Sequence, residues 1–329
     1  MEMSNIKDVA ASAGVSVTTV SRVLNKRGYI SEKTYKKVYE AMEKLDYQPN
    51  QLARNMYSQR TYFIGLLVPD ISHPFFAEMA HRLEILLFNH GYKVILCNTQ
   101  QNDEREQEYL NMLRQNKVDG AVIGTHMLEI SDYEKLALPL VGMDVYLGNK
   151  TPTICADHVR GGRLAARPFI DGGARCVLQI RGNSDIKTPA WMRQSVFTSE
   201  LNEHGIRCID YELGEEEFDR SRYSQIIDSL LDSHPEIDGI FSTDTVVVNA
   251  LKCLLSRGKS IPEDIMVVGY DGVDAVNSVY PSLSYVKQPF DKLAETIVDV
   301  LLRKINGETI CDNVIIDDVR FIKGASTRA

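Results

Sequence analysis

At 329 residues the chain is long enough for two or three domains, each with its own core. Hydrophobic residues at 44% and charged residues at 25% exclude a disordered or collagen-like chain. No charged-then-apolar leader and no apolar run of about 18 residues occurs, so a cytoplasmic protein is expected. The net charge of −8 argues against a nucleic-acid binder only until it is divided. Residues 1–60 carry ten Lys/Arg against six Asp/Glu, a net +4, which leaves −12 for the rest. A basic head therefore precedes an acidic body. The six cysteines, at 97, 155, 176, 208, 253 and 311, stand singly, without a Cys-x-x-Cys pair or a Cys/His cluster. No zinc, other metal or cofactor is expected, and most of these cysteines read as small buried apolar residues.

The first elements lie in Ile6–Asn25, IKDVAASAGVSVTTVSRVLN. Ile6, Val9 and Ala10 repeat at helical spacing, and so do Val20, Val23 and Leu24. Gly14 supplies a tight corner between two helices, and Ser16 stands where an N-cap belongs. Val17, Thr18, Ser21 and Arg22 then face outward, short side chains plus one Arg that suit a helix reading a DNA major groove. Spacing alone fits a small amphipathic hairpin equally well. The wording IKDVAxxAGVSxxTVSRVLN, however, resembles the DNA-binding signature of LacI/GalR-type repressors nearly letter for letter. That resemblance implies an all-α helix-turn-helix head over residues 1–48. Val17, Thr18 and Arg22 would read bases. Ser16, Thr19, Ser21, Asn25, Ser31, Thr34, Tyr47 and Asn50 would lie near the backbone or the groove.

Ser31 caps a third helix, with Ile30 and Tyr35 at the positions of a hydrophobic staple. Val38, Ala41, Met42 and Leu45 carry its apolar stripe to Tyr47. Pro49 stops that helix and suits the first turn of another, Asn50–Tyr57, too short to persist alone in water. In the LacI/GalR pattern this linker, residues 49–60, resembles the hinge helix, which orders on operator DNA beside its twin. Ala53 belongs to it, and Met56 stands at the wedge position that enters the minor groove, where the family usually has Leu.

From Tyr62 onward short apolar strands alternate with helical stretches. The series is Phe63–Val68, a helix to Asn89, Val94–Leu96, a helix over Glu104–Gln115, Ala121–Ile123 and Leu140–Met143. A second series runs Cys176–Ile180, helices near Ala190–His204 and Ser221–Ser233, Gly239–Phe241, a helix at 245–257 and Met266–Val268. Such alternation means parallel sheets covered by helices, here in two α/β lobes with a ligand cleft at the carboxyl ends of the strands. Ile64–Asp70, Pro74–Phe76, Val118–Gly120, Ala156–Gly162, Asp238–Phe241 and Val268–Asp271 resemble the periplasmic-binding-protein-like sensor of LacI/GalR repressors. The resemblance implies lobe 1 at about 61–158 plus 290–318, and lobe 2 at about 159–289 plus 319–329.

The residues at the strand ends are the candidate effector site. Phe75 and Phe76 match aromatics that stack on a sugar ring. Asp271 ends a strand between small neighbours and can accept two hydroxyls. Arg193 matches the family's sugar-binding arginine, a planar fork for vicinal hydroxyls or a carboxylate. Trp191, the only Trp, is a second platform or a surface plug. Phe218 matches an aromatic of the opposing lobe, and Gln288 sits at a lobe crossing. Three positions depart from a ribose pocket. His73 replaces an Asn of some ribose binders, Val145 follows Asp144 where Arg is common, and Thr243 precedes Asp244 where Asn is usual. The stretches Ile71–His73, Gly124–His126 with Asp132–Glu134, and Gly269–Gly272 resemble sucrose-operon-type repressors of Gram-positive bacteria.

These resemblances imply a homodimeric repressor acting at the nucleoid, binding pseudo-palindromic operator DNA and switched by a small carbohydrate or sugar phosphate of sucrose or fructoside type. A ribose-type effector and a phosphocarrier protein as co-effector are the other signals the family uses. A transport protein fits poorly with the basic head. No GxxxxGK[ST], HExxH or nucleophile elbow marks the chain as an enzyme, and no leucine-repeat helix follows the sensor to make a tetramer.

Overall fold

The computed structural model describes residues 4–25, 27–47, 60–125, 127–182, 188–214 and 222–328. Asn50, Ala53 and Met56 of the hinge, His126 and Phe218 lie outside the described residues. The chain divides into two compact units, Met1–Thr61 and Tyr62–Ala329.

The first unit holds α1 (Ile6–Ala13), α2 (Val17–Leu24) and α3 (Glu32–Lys44). Local chemistry sets their ends. Asn5 Oδ1 accepts from the Lys7 amide at 2.9 Å, while the Asp8 carboxylate accepts from the Asn5 amide at 2.8 Å. Gly14 closes α1 at φ 66°, a left-handed conformation that only glycine adopts without strain. Val9, Val20, Val23 and Val38 are fully buried, with Ala10, Ala13 and Ala41 around them. Ile30 and Tyr35 pack at the edge of this core. The third helix ends at Lys44, short of Tyr47, where Asp46 turns to φ 45° ahead of Pro49.

The second unit contains two six-stranded sheets. Sheet one comprises β1 (Phe63–Val68), β2 (Lys93–Asn98), β3 (Gly120–Ile123), β4 (Leu140–Met143), β5 (Thr153–Ala156) and β11 (Val314–Ile316), in the order β11-β5-β4-β3-β1-β2. All of its pairings are parallel. Sheet two comprises β6 (Cys176–Arg181), β7 (Arg207–Glu212), β8 (Gly239–Phe241), β9 (Met266–Asp271), β10 (Ser284–Lys287) and β12 (Arg320–Ile322), in the order β12-β10-β9-β8-β6-β7. It is parallel except for β10 against β12. The central strands are buried along nearly their whole length, as strands covered on both faces must be, whereas the edge strands β2 and β7 are largely open.

The covering helices are α4 (Pro74–Asn89), α5 (Asp103–Gln115), α6 (Ile130–Glu134), α7 (His158–Asp171), α8 (Trp191–Glu203), α9 (Tyr223–Ser233), α10 (Asp244–Ser256) and α11 (Phe290–Ile305). The chain passes from sheet one to sheet two after β5, returns after β10 and crosses again between β11 and β12. Helix α11 packs on α4 and on β3, β4 and β5, so it belongs to the first lobe although its preceding strand belongs to the second.

The glycine pair at 161–162 explains how α7 sits so close to the junction. A methyl group at Gly161 would lie 2.1 Å from the Tyr270 hydroxyl, and one at Gly162 would lie 2.5 Å from the Arg193 carbonyl of α8. Tyr270 is fully buried and cannot swing away. Gly161→Ala should therefore destabilise the sensor unit by about 1–3 kcal/mol, the usual cost of overpacking. Calorimetric unfolding should show a lower Tm than for the parent, and an unchanged Tm would contradict this packing.

Candidate effector cleft and DNA-reading helix

In the head, the sequence-predicted contact residues divide by what they already bond. The Ser16 hydroxyl accepts from the Thr19 amide at 3.1 Å and meets the Thr19 hydroxyl at 2.9 Å. Ser31 and Thr34 repeat this arrangement at the start of α3. Asn25 Nδ2 donates to the Ser21 carbonyl at 2.8 Å and to its hydroxyl at 3.3 Å. Tyr47 is half-buried against the core. Val17, Thr18 and Arg22 are exposed on α2. Among the described residues Arg22 forms no ion pair, which leaves its planar fork available to a base edge or phosphate.

The cleft lies where the strands of the two sheets end. A cavity of 810 Å³ is lined by Asp70 after β1, Gln100 and Gln101 after β2, Thr125 after β3, Arg181 at the end of β6, and Ser242 and Thr243 after β8. A smaller space of 190 Å³ adjoins it, sharing His73, Phe76, Val145, Arg193 and Thr243 with the larger one. Asp144, Asp271, Gln288 and Phe75 line only the smaller space, and Trp191 only the larger. The structure thus brings together His73, Phe75, Phe76, Asp144, Trp191, Arg193, Thr243, Asp271 and Gln288.

Arg193 organises the inner end. Its guanidinium lies 4.3 Å from the Tyr270 ring centroid, and its Nη1 is 3.7 Å from Asp271 Oδ1. Gln288 Nε2 donates to the same oxygen at 2.8 Å. From Tyr270 the polar chain continues to His158 Nδ1 at 3.2 Å, and from His158 Nε2 to Asp144 Oδ1 at 2.8 Å. Two members of this chain hold non-glycine positive φ, Asp144 at 57° and Asp271 at 112°. Backbone strain of this kind persists only where surrounding contacts impose it, and it concentrates at binding sites.

Two expected ligand contacts take other roles. Asp244 lines neither space. Its Oδ2 accepts from the Gly272 and Val273 amides at 2.7 and 2.9 Å, so the carboxyl group holds the loop after β9. Phe75 is mostly core, packed on Phe76 and on Phe290 of α11 at centroid distances of 5.2 and 5.6 Å. Phe76 is the better ring platform, edge-on to His73 and open to both spaces. His73 itself caps α4, its Nδ1 accepting from the Phe75 amide at 3.3 Å. Trp191, 46% exposed, stands at the wall of the larger cavity.

Four residues escaped the reading of the sequence. His158 and Tyr270 act one contact away from the cleft; both lie inside stretches that resemble the family's sensor, but neither was assigned a role there. Gln179 and Arg181 line the larger cavity from β6. Arg181 ends its strand as Asp271 ends β9, so the same strand-end rule applied to β6 would have found it.

A two-lobed binding domain with its polar cleft at the strand ends, joined to a helix-turn-helix head, defines a ligand-responsive DNA-binding regulator. Residues 5–50 match the family model for bacterial regulatory proteins of the lacI family. Residues 61–325 match the model for periplasmic binding proteins and the sugar-binding domain of the LacI family. The chain belongs to the LacI family, whose members are DNA-binding repressors. It is 39% identical to the ribose operon repressor of Halalkalibacterium halodurans, over 94% of this chain and 92% of that one. It is 40% identical to the sucrose operon repressor of Streptococcus mutans, over 93% and 94%. A solved periplasmic binding protein/LacI transcriptional regulator from Alkaliphilus metalliredigens, complexed with D-xylulofuranose, matches with a TM-score of 0.74 and 29% identity, covering 82% of this chain and all of that one.

The electrostatics of the inner end give a pH test. Burial, reinforced by the Asp271 charge, pushes the Asp244 carboxyl well above the ordinary value of 3.8. Burial also raises Asp271, against the pull of Arg193 and the Gln288 hydrogen bond. A folded pKa raised above the unfolded one contributes stability that is complete below the unfolded value and is lost as pH rises through the folded value. Asp244→Asn removes this titration. Its Tm relative to the parent should therefore climb as pH is raised from about 4 to 8. A difference that stays constant over that range would show that Asp244 is ionised in the fold.

Proposed function

We propose that this LacI-family repressor controls a carbohydrate-utilisation operon and that a small sugar held at the strand ends sets its operator affinity. The observation that carries the reading is the inner end of the cleft. A guanidinium, a carboxylate and a carboxamide, Arg193, Asp271 and Gln288, converge there beside the Phe76 ring. Carboxylates and guanidinium forks grip vicinal hydroxyls, while an aromatic ring covers the apolar face of a sugar. A sucrose or fructoside type of effector is the lead, supported by the sucrose operon relative. A pentose is the second reading. The ribose operon relative and the D-xylulofuranose complex of the solved neighbour favour it.

The working unit in this reading is a homodimer in the cytoplasm, at the nucleoid. Ile85 and Phe88 of α4 and Leu96 of the edge strand β2 are exposed apolar side chains that suit a second copy of the chain. Two heads then read a pseudo-palindrome, with Arg22 and Thr18 on base edges and Val17 against a thymine methyl. Met56, with Ala53 and Asn50 in the linker, supplies the minor-groove wedge. Sugar in the cleft changes how the two lobes meet, and the linker transmits that change. Coupling of about 1–3 kcal/mol is the usual size for such a switch.

Titrating operator DNA at several salt concentrations should give a steep fall in affinity with salt, and Arg22→Ala should weaken the operator far more than random DNA. A flat salt dependence would remove the DNA-binding reading. Thermal-shift screening of sucrose, fructose, ribose and their phosphates should raise the Tm for at least one of them. If none does, carbohydrate sensing fails, and a phosphocarrier protein becomes the signal to test by pulldown.

A further inference from the structure

His158 takes no part in lining the cleft, yet it stands between the two lobes. It opens α7, directly after the chain has crossed from sheet one to sheet two, and its ring is buried. Neither it nor Tyr270 lines the larger or the smaller space. Asp144, after β4 of the first lobe, lies 2.8 Å from Nε2, and the Tyr270 hydroxyl, on β9 of the second, lies 3.2 Å from Nδ1. The partners decide which atom donates. A carboxylate accepts and cannot donate, so Nε2 carries a hydrogen toward Asp144. In the neutral ring Nδ1 is then an acceptor, and the Tyr270 hydroxyl donates to it.

Both ends of this bridge are constrained. Gly161 stands three residues after His158 on the same face of α7, and a methyl group there would lie 2.1 Å from the Tyr270 hydroxyl, so that hydroxyl is boxed between the glycine and the imidazole. The Tyr270 ring is fully buried and carries the Arg193 guanidinium 4.3 Å from its centroid. At the other end Asp144 holds φ 57°, a left-handed conformation that persists where contacts impose it. A strained residue of lobe one and the residue beneath the arginine of the cleft in lobe two are thus joined through one buried side chain. Breaking either bond leaves a buried donor or acceptor unmatched, which costs more than a hydrogen bond ordinarily contributes.

We infer that His158 is a positioning residue that latches the two lobes and so holds the cleft in its observed shape. For its effect on DNA, and for that alone, this rests on the coupling of cleft to operator proposed above. The chain carries its own reporter. Trp191 is its only Trp and lines the larger cavity together with Asp70 and His73 of the first lobe, so its emission reads how far the lobes stand apart. In the full chain His158→Leu removes both bonds and keeps apolar bulk. Trp191 emission should move to longer wavelength and acrylamide should quench it more strongly. Operator affinity should change by about five-fold or more, the lower end of ordinary coupling. His158→Gln, whose carboxamide offers one donor and one acceptor, should stay close to the parent in all three measurements. Tyr270→Phe keeps the ring beneath Arg193 and removes one oxygen. It should reproduce His158→Leu, and the double variant should go no further than either alone. Tyr270→Phe also gives the readout if His158→Leu does not fold. An unchanged Trp191 signal in these variants overturns the latch. So does a His158→Gln protein that behaves like His158→Leu, because ring shape and not hydrogen bonding would then matter. An altered Trp191 signal with parental operator affinity supports the latch and overturns the coupling of cleft to operator.

Discussion

The sensor unit is arranged around one buried cation. The Arg193 side chain is nine-tenths shielded from water, and a charge in that position is tolerable only with partners. The structure supplies two, the face of Tyr270 and the carboxylate of Asp271. Each partner imposes a further requirement. Tyr270 needs room, which α7 provides by having glycine at 161. Asp271 must turn out of the strand at φ 112°, and the turn is held from below by Asp244 and from the side by Gln288. The closeness of Asp244 raises its own carboxyl above the ordinary range, since two buried carboxylates beside one guanidinium cannot both be ionised cheaply.

The same chain of contacts ties the two lobes together. Asp144 ends a strand of sheet one, and Tyr270 lies in sheet two. His158, at the start of the helix that follows the first crossing, bonds both. Gln288 lies between β10 of sheet two and α11 of the first lobe. A ligand that adds hydrogen bonds to Asp144, Asp271 or Gln288 therefore acts on residues that already set the relation between the lobes. That is the physical route from occupancy of the cleft to movement of the unit, because a bound group shifts an equilibrium only by contacts it makes differently in the two states.

Much of this was legible before any coordinates. The head showed itself through a long specific wording and through caps at Ser16 and Ser31 that the structure forms as expected. The central strands β1, β3, β4, β6, β8 and β9 showed themselves as apolar runs, because a strand covered on both faces has no polar side to confuse the signal. The short strand β5, the open edge strand β7 and the strands β10 to β12 did not. They have three to six residues each, and those at the edges keep polar side chains toward water, so no run or period stands out. For the same reason the return of the chain to sheet one through α11 and β11 was suggested by resemblance to a family and not by the residues themselves.

By itself the sequence determined the family, the helix-turn-helix head with its outward Arg22, the two parallel α/β series and the set of strand ends where a ligand belongs. These follow from local rules of period, capping and wording that need no knowledge of distant neighbours. Tertiary structure alone decided what each strand-end side chain does. Asp244 and Asp271 both follow a buried strand and look equivalent in sequence. One accepts from the Gly272 and Val273 amides, and the other faces Arg193, Gln288 and the cleft. Likewise Phe75 is mostly core and reaches only the smaller space while Phe76 opens to both, and Arg181 is held in the wall by Asp210 and Glu212 of β7. Burial and the partner across a gap set the charge and role of a side chain, and both depend on residues far away in the chain.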